Sequence, residues 1–318
     1  MRYRRLGRTQ WEVSEIGFGA WAIGGTGYGP TSDAESLRAL ETALDRGVNF
    51  FDTADVYGNG RSESLVAKFL KGKSRRGIFV ATKAGWDFYP GGNRKNFDPG
   101  YLRFACEKSL ARLDSETIDL YQLHNPSAEL IRRGEILDAL EGLKKEGKIR
   151  AIGISVHTPE EALAALEDGR ADTLQLVYSL LDQEMGDEVF GAAKARGIGL
   201  IIREPLAYGF LSGKYKAGHV FHKDDHRRRF SAETVETNLR KIDEIKRVLS
   251  HHPHPLAQVA LEYILRREEV STVIPGAKTF EQVLINTEAS AAPKLREEEA
   301  RQLADLTRRE AIFKEHVF

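Results

Sequence analysis

Short apolar runs alternate with amphipathic stretches along most of the chain. Eight runs of four to eight residues are rich in Val, Ile, Phe or Tyr, which is typical of strands covered on both faces. The predicted strands are 15–20, 49–54, 78–84, 118–124, 149–156, 173–179, 199–205 and 271–276. Runs that are apolar throughout, without a polar face, indicate a parallel sheet buried between helices.

Helical patterns fill the intervals between these strands. Several begin at a capping residue, such as Ser32, Ser62 or Thr158, and several end in a glycine followed by a strand. The predicted helices are 33–46, 62–72, 99–113, 129–146, 159–168, 186–196, 231–250 with 255–267, and 279–290. Strict alternation of eight strands with helices predicts an α/β protein, a single (β/α)8 TIM barrel spanning residues 1–318. A doubly wound domain of six strands would leave the remainder unexplained.

Four segments fall outside the alternation. Residues 1–13 precede the first strand and are expected to form a hairpin that plugs the bottom of the barrel. Long loops follow strands 3 and 7, at 85–98 and 206–230, and a tail helix is expected at about 297–310. Both loops would lie at the carboxyl ends of the strands, where the chemistry of this fold is found.

Composition and charge exclude several classes of function. The 318 residues carry 47 Lys and Arg against 47 Asp and Glu, so no net field favours nucleic acid or an anionic membrane. The single cysteine, Cys106, rules out an internal disulfide, and there is no run of 18 apolar residues. Prolines around His251, His252 and His254 disrupt metal-ligand spacing. We expect a soluble, cytoplasmic protein that binds no metal, nucleic acid or membrane, and its oligomeric state stays open.

Four chemically active side chains follow three neighbouring predicted strands. Strand 2 delivers Asp52 and then Tyr57, strand 3 delivers Lys83, and strand 4 ends in His124. A lysine inside an apolar strand needs a partner, and Asp52 is the natural one. The pKa of free tyrosine, near 10, makes it a weak acid at neutral pH, and a nearby ammonium is expected to lower that pKa. A neutral His124 could orient a carbonyl oxygen, so the set predicts general acid catalysis.

These residues resemble a known family. The motifs DTADVYG (52–58), VATK (80–83) and YQLH (121–124) resemble the Asp, Tyr, Lys and His tetrad of the aldo-keto reductases, of the bacterial NADPH-dependent kind. The resemblance extends from LGRTQWEVSEIGFGAW through GKIRAIGIS and EPLAYGFLSGKY to IPGAKTFEQVLIN. It implies a barrel that reduces an aldehyde or ketone to an alcohol by hydride transfer from NADPH. Asp52, Tyr57, Lys83 and His124 would then be the catalytic residues, with Tyr57 as the general acid.

The residues after strand 8 also predict a site for a phosphate. Small residues at Gly276 and Ala277 precede a helix, and backbone N–H groups at a helix N-terminus bind anions. Lys278 adds a charge for a 2′-phosphate and favours NADPH over NADH, although Glu281 argues weakly the other way.

The resemblance further implies which residues touch the cofactor and the substrate. The implied cofactor contacts are Ala20, Trp21, Asp52, Ser155, Gln175, Arg203, Pro205, Leu206, Lys214, Gly276, Ala277, Lys278, Gln282 and Asn286. Among them, Ser155 and Gln175 would bind the carboxamide. Implied substrate contacts are Trp21, Tyr57, Trp86 and His124. Three positions depart from the family's pattern: Val156 replaces an Asn or Arg, Arg203 replaces an aromatic ring that stacks on nicotinamide, and Ile285 replaces a Glu.

Other interpretations stay open. The barrel could be a redox-sensing subunit that binds NADPH with little turnover, or an isomerase or lyase in which Lys83 forms a Schiff base. The G-x-G-x-x-G/A match at 17–22 predicts a dinucleotide fingerprint only if a helix follows directly. The arginines at 227–229 are expected to form an exposed charge run, with a loop over phosphate as the alternative. Trp86, Phe88 and Tyr89 could line the substrate pocket or pack within their loop.

Overall fold

A computed structural model describes residues 1–25, 27–90, 92, 94–291 and 295–309, and these contain a closed parallel barrel. Its strands are β1 (Phe18–Gly19), β2 (Phe50–Asp52), β3 (Phe79–Ala84), β4 (Ile118–His124), β5 (Ile149–Ser155), β6 (Thr173–Val177), β7 (Gly199–Arg203) and β8 (Val270–Val273). Each strand pairs with its chain neighbours in the sheet. The backbone N–H of Gly17 donates to Val273 O at 2.8 Å, and parallel bridges join Ile16 to Val273 and Gly19 to Gly276. These contacts close β1 against β8 and confirm the predicted barrel.

Helices cover the outside of the barrel. They are α1 (Asp33–Asp45), α2 (Arg61–Leu70), α3 (Pro99–Leu113), α4 (Ala128–Arg133), α5 (Glu135–Lys145), α6 (Pro159–Asp168), α7 (Glu184–Glu188), α8 (Phe190–Ala195), α9 (Ala232–Val248), α10 (Leu256–Leu265), α11 (Phe280–Glu288) and α12 (Glu297–Arg309). Short 3₁₀ helices lie at Gly7–Thr9, Ala22–Gly24, Ala207–Ser212 and His226–Arg229.

Two predicted helices are each divided in the structure. The predicted helix 129–146 is broken at Gly134, whose φ of 81° lies in the left-handed region that glycine adopts at low cost. The predicted helix 186–196 is divided at Val189 into α7 and α8. The tail helix matches its prediction through residue 309, and residue 310 lies outside the described residues. None of the described helices has the length and apolarity needed to cross a bilayer.

The N-terminal segment closes the bottom of the barrel, as predicted. Tyr3–Arg5 pairs antiparallel with Glu12–Ser14, and Trp11 stacks on Phe79 with ring centroids 4.8 Å apart. Leu6 and Val13 are fully buried in an apolar cluster inside the barrel. Burying this cluster stabilises the barrel from below and leaves its upper rim as the open end.

The upper rim carries the two long loops. Within 85–98, Trp86–Asp87 pairs antiparallel with Arg94–Lys95, a short hairpin that the sequence pattern did not predict. Lys95 Nζ donates to Asn125 O at 2.8 Å, so this hairpin is held against the end of β4. The loop after β7 carries two 3₁₀ helices, Ala207–Ser212 and His226–Arg229.

Candidate active site

The ends of β2, β3 and β4 bring the four predicted side chains together. Lys83 Nζ donates to Asp52 Oδ1 at 2.5 Å and to Thr53 O at 2.8 Å, and it lies 3.4 Å from the Tyr57 hydroxyl. The Tyr57 and His124 rings meet edge to face with centroids 5.9 Å apart. Three strands that are adjacent in the sheet therefore place a carboxylate, an ammonium, a phenol and an imidazole around one point.

Burial divides these four residues into two pairs. The side chains of Lys83 and Asp52 are 0% and 3% exposed, whereas Tyr57 and His124 are partly exposed at the mouth of the barrel. The Asp52–Lys83 ion pair thus forms the floor of the site, and the Tyr57 phenol and His124 imidazole are accessible to a ligand at the mouth of the barrel.

Asp52 is also held by two amides. Its Oδ2 accepts from Gln122 Nε2 at 3.0 Å and from Gln175 Nε2 at 2.8 Å. Sequence analysis missed Gln122, although its position two residues before His124 in an apolar strand places both on one face. Together with Lys83, three donors reach this carboxylate and engage both of its oxygens, so its orientation is fixed.

The pKa of Tyr57 differs from the sequence-based expectation. Burial raises it above the usual value of 10.0, and the nearby Lys83 only partly offsets that effect. The expectation of a lowered pKa was wrong because it counted the ammonium and omitted desolvation. Burial alone would lower the pKa of Lys83, but Asp52 and Tyr57 outweigh burial and raise it. At neutral pH, Tyr57 carries its proton and Lys83 its charge.

His124 is held in its neutral form. Burial, together with the positive charges of Lys83 and Arg203, keeps its pKa well below the usual value of 6.5. Its buried Nδ1 has no hydrogen-bond partner among the described residues. A neutral imidazole beside the Tyr57 ring can donate one hydrogen bond to an oxygen in the mouth.

A cleft of about 360 Å³ lies between the segments that follow β1, β7 and β8. Seven of the predicted cofactor residues line it: Pro205, Leu206, Lys214, Gly276, Lys278, Gln282 and Asn286. Ile285, one of the departures from the family pattern, lines it as well. Ala277 does not, because its side chain is 1% exposed and packs in the hydrophobic core.

The remaining predicted cofactor residues lie beside the tetrad. The Ala20 N–H donates to Asp52 O at 2.8 Å, and Trp21 stacks on Tyr57 with centroids 6.0 Å apart. Ser155 Oγ donates to Asn125 Oδ1 at 3.0 Å. Gln175 Oε1 is buried and has no partner among the described residues. A buried acceptor without a donor is costly and fits a ligand that brings an N–H group.

Three cationic side chains, those of Lys278, Lys214 and Arg227, line this cleft. Lys278 Nζ donates to Tyr28 O at 2.6 Å. Burial and the positive charges of Lys214 and Arg227 lower the pKa of Lys278. Gln282 Oε1 accepts from the Lys278 N–H at 2.8 Å, so this amide is already engaged within the chain. Mutual repulsion of cations in a cleft favours an anionic ligand.

The expected exposed charge run at 227–229 is wrong for its first member. Arg227 is 7% exposed, whereas Arg228 and Arg229 are exposed. Arg227 donates to both Asp225 oxygens at 2.8 and 2.5 Å, to Tyr208 O at 2.9 Å and to the Tyr215 hydroxyl at 2.5 Å. Nothing in the sequence distinguishes Arg227 from its neighbours, because only the folded loop shows which arginine turns inward.

This loop crosses to the loop after β1. The His226 N–H donates to Gly27 O at 2.8 Å, and the His226 ring packs against Trp21 and Tyr28 with centroids 4.7 and 4.5 Å apart. Arg227 therefore anchors a segment that joins the loop after β7 to the loop after β1, and both Arg227 and Tyr28 line the cleft.

A second buried polar network lies behind the tetrad. Glu63 accepts from Arg112 Nε at 2.5 Å and from Thr82 Oγ1 at 2.6 Å. Asp55 is fully buried, its carboxylate oxygens have no partner among the described residues, and burial raises its pKa well above its usual value. The sequence pattern did not predict this network, in which Glu63 joins α2 to α3 and to β3.

The aromatic residues of the 85–98 loop separate into two groups. Phe88 stacks on Tyr89 at 4.6 Å, and the Tyr89 hydroxyl accepts from Arg112 Nη1 at 2.8 Å, so both pack within their loop and on α3. Trp86 is partly exposed in the hairpin above β4, and its contact with substrate stays a prediction. Among the described residues between Gly17–Ala22 and α1, the only helix is the 3₁₀ helix Ala22–Gly24, so the dinucleotide fingerprint lacks the α-helix that should follow it directly.

Comparison with known proteins agrees with this geometry. The family model described as "Aldo/keto reductase family" matches residues 15–308. An uncharacterized oxidoreductase of Bacillus subtilis, YqkF, is 33% identical over 320 residues, which cover 99% of each chain. The aldo-keto reductase yakc [NADP(+)] of Schizosaccharomyces pombe is 32% identical, with 84% of this chain and 80% of that protein covered. The holo form of aldo-keto reductase AKR11C1 from Bacillus halodurans superposes with a TM-score of 0.82 at 31% identity, covering 96% of each chain. The chain belongs to the aldo/keto reductase family of oxidoreductases.

Proposed function

We propose that this protein reduces an aldehyde or ketone to the corresponding alcohol, with NADPH as the hydride donor and Tyr57 as the general acid. One observation carries the proposal: the Tyr57 hydroxyl lies 3.4 Å from the charged Lys83 amine, at the open mouth of the barrel. The reaction consumes the carbonyl compound, NADPH and a proton, and it yields the alcohol and NADP⁺.

Each residue of the tetrad has a distinct task in this proposal. A substrate carbonyl oxygen enters between the Tyr57 hydroxyl and the His124 ring, and neutral His124 orients it by donating a hydrogen bond. NADPH, when bound, supplies hydride to the carbonyl carbon. As negative charge grows on the oxygen, Tyr57 donates its proton, and Lys83 stabilises the phenolate that remains. Asp52 keeps Lys83 charged and in place.

The raised pKa of Tyr57 is compatible with this task. It keeps the hydroxyl protonated before reaction, so the acid is in the correct state throughout the neutral range. The phenolate forms only when Lys83 can stabilise it, and partly exposed Tyr57 then regains a proton from solvent.

Two features of the cleft support NADPH as the donor. The unpartnered Gln175 Oε1 can accept from a carboxamide N–H beside the tetrad. Lys278, Lys214 and Arg227 supply positive charge in the cleft, where phosphates would be bound. The residues proposed to hold the cofactor between these points are Ala20, Trp21, Ser155, Pro205, Leu206, Gly276, Gln282 and Asn286.

The geometry argues against a Schiff-base isomerase or lyase. A lysine attacks a carbonyl as the neutral amine, whereas Lys83 is fully buried, paired with Asp52 at 2.5 Å and has a raised pKa. A pure redox sensor would not need an acid beside its nicotinamide site, so the complete tetrad favours turnover.

The test is an NADPH-oxidation screen of the purified protein against aldehydes, ketones and sugars, run in parallel with NADH. We expect multiple turnovers with at least one aldehyde. The amount of alcohol formed should equal the amount of NADPH oxidised, and NADPH should be preferred over NADH. Failure to bind NADPH in a fluorescence titration would refute the proposal. Borohydride trapping of substrate on Lys83 would instead support the lyase. A single oxidation of bound NADPH without further turnover would support the sensor.

A further inference from the structure

Arg203 stands at the end of β7, with its side chain directed into the barrel mouth. In the β6–β7 register, Gln175 pairs with Ile201 and Val177 pairs with Arg203. Gln175 bonds to Asp52 inside the barrel, and Ile201 belongs to the interior cluster. Residues two apart on a strand share a face, so Arg203 points inward, one layer above Ile201 and nearer the rim.

The guanidinium of Arg203 is locked in place. Nη1 lies 2.5 Å from Glu204 Oε1, and Nη2 lies 3.2 Å from Val156 O and 2.9 Å from His157 Nδ1. Its Nε is buried without a partner among the described residues. The side chain is 13% exposed, so its charge is poorly screened by water.

The positive charge of Arg203 acts on the reacting groups. It contributes to lowering the pKa of His124 and opposes the burial that raises the pKa of Tyr57. Its partner Glu204 contributes to raising the pKa of Tyr28 and Tyr208, and at Tyr208 and His157 the two charges act in opposite directions. Arg203, and not Glu204, is among the largest influences on the pKa of Tyr57 and of His124, so the cation lies nearer the tetrad than the carboxylate does.

We propose that Arg203 makes the site discriminate between the two redox forms of its cofactor, binding NADPH more tightly than NADP⁺. This inference rests on the proposed function. A nicotinamide ring whose carboxamide meets Gln175 lies in the part of the mouth toward which Arg203 points. The ring of NADP⁺ carries a positive charge and that of NADPH carries none, so a fixed guanidinium repels only the oxidised form.

The consequence is a directional bias in the catalytic cycle. Arg203 would lie beside a cofactor ring that is cationic once hydride has passed to the carbonyl carbon, and its charge would then promote release of NADP⁺. The same repulsion disfavours alcohol oxidation, which requires NADP⁺ to bind first. The Arg203–Glu204 pair is as close as the Lys83–Asp52 pair, at 2.5 Å, so the bias depends on the guanidinium lying nearer the ring than the Glu204 carboxylate does.

The test measures the dissociation constants of NADPH, by fluorescence titration, and of NADP⁺, by competition. The measured quantity is their ratio, Kd(NADP⁺)/Kd(NADPH), which cancels changes that affect both forms equally. Arg203→Met should lower this ratio about three- to tenfold, and Arg203→Lys should hold it within about twofold because the charge is retained. Glu204→Gln removes the counter-charge and should raise the ratio about threefold. Arg196→Met, at an exposed residue directly after α8, is the matched control and should leave the ratio unchanged.

The outcomes separate this inference from the proposed function. If the parent protein binds NADPH but Arg203→Met and Glu204→Gln both keep its ratio, the inference is overturned and the proposed function stands. Equally weaker binding of NADPH and NADP⁺ to Arg203→Met would also overturn the inference, because it would show that Arg203 contacts the phosphates that both forms share. If Arg203→Met does not fold, the rise in the ratio expected for Glu204→Gln still tests the inference, and an unchanged ratio in that variant overturns it. Absence of NADPH binding to the parent overturns both proposals.

Discussion

The buried pair of Asp52 and Lys83 allows a double-mutant cycle with a calculable outcome. The charged atoms are 2.5 Å apart with side chains 3% and 0% exposed, which corresponds to roughly 6–7 kcal/mol of attraction at an effective dielectric constant of about 20. Desolvation of both ions offsets most of this, so the net contribution of the pair is small. Removing one partner is different, because it leaves the other charge buried and unpaired.

The two single variants should differ in cost. Lys83→Met leaves Asp52 with the amide donors of Gln122 and Gln175, so we expect a loss of about 3 kcal/mol in the free energy of unfolding. Asp52→Leu leaves the ammonium with only Thr53 O and the Tyr57 hydroxyl, and we expect a loss of about 5 kcal/mol. In the double variant no charge remains, and its loss should fall short of the summed single losses by about 2–3 kcal/mol.

The free energy of unfolding is measured for the parent, the two single variants and the double variant by urea unfolding followed by tryptophan fluorescence. The exposed pair of Arg132 and Glu160, 2.9 Å apart, is the matched control, and its coupling should stay below about 1 kcal/mol. Carbonyl reduction should stay lost in the Asp52/Lys83 double variant even though part of the stability returns. Additive single losses, or losses no larger than those at the control pair, would refute the energetic reasoning.

Three further predictions concern single groups. The pKa of His124 is held well below 6.5, so the unfolded chain binds a proton that the folded chain does not, and stability falls as pH drops below about 6.5. His124→Gln should reduce the dependence of the free energy of unfolding on pH by up to about 1.4 kcal/mol per pH unit. Urea unfolding at about pH 5 and pH 7 measures this dependence, and an unchanged value in the variant would contradict the reasoning. Lys278→Ala should raise KM for NADPH about tenfold with little effect on KM for NADH, and equal effects on both would contradict a contact with the 2′-phosphate. Burial raises the pKa of the Cys106 thiol to about 12, so iodoacetamide should label it only in the unfolded protein, and rapid labelling of the native protein would contradict its burial.

The barrel and the tetrad could be predicted because their signals are local. Each strand is a short apolar run bounded by capping residues and glycines, and Asp52, Lys83 and His124 stand at the ends of three such runs. In a closed parallel barrel, the ends of neighbouring strands must meet at one rim. The N-terminal hairpin was predictable for a similar reason, since residues 1–13 precede the first barrel strand.

What the sequence did not reveal depends on contacts between distant segments. The inward turn of Arg227 requires Asp225, Tyr208 and Tyr215 to be folded around it. The direction of the Tyr57 pKa shift depends on how much water the assembled mouth excludes. The break at Gly134 is local, but a glycine within an amphipathic pattern does not by itself show whether the helix ends there.

The central claim, that the Tyr57 hydroxyl donates the proton as hydride arrives, is tested most directly by single-turnover oxidation of bound NADPH by an excess of a good aldehyde substrate. Tyr57→Phe removes the hydroxyl and leaves the ring that stacks on Trp21. We predict that this variant binds NADPH within about twofold of the parent while the oxidation rate falls by about two to four orders of magnitude. Oxidation at the parent rate, with NADPH binding intact, would contradict the account.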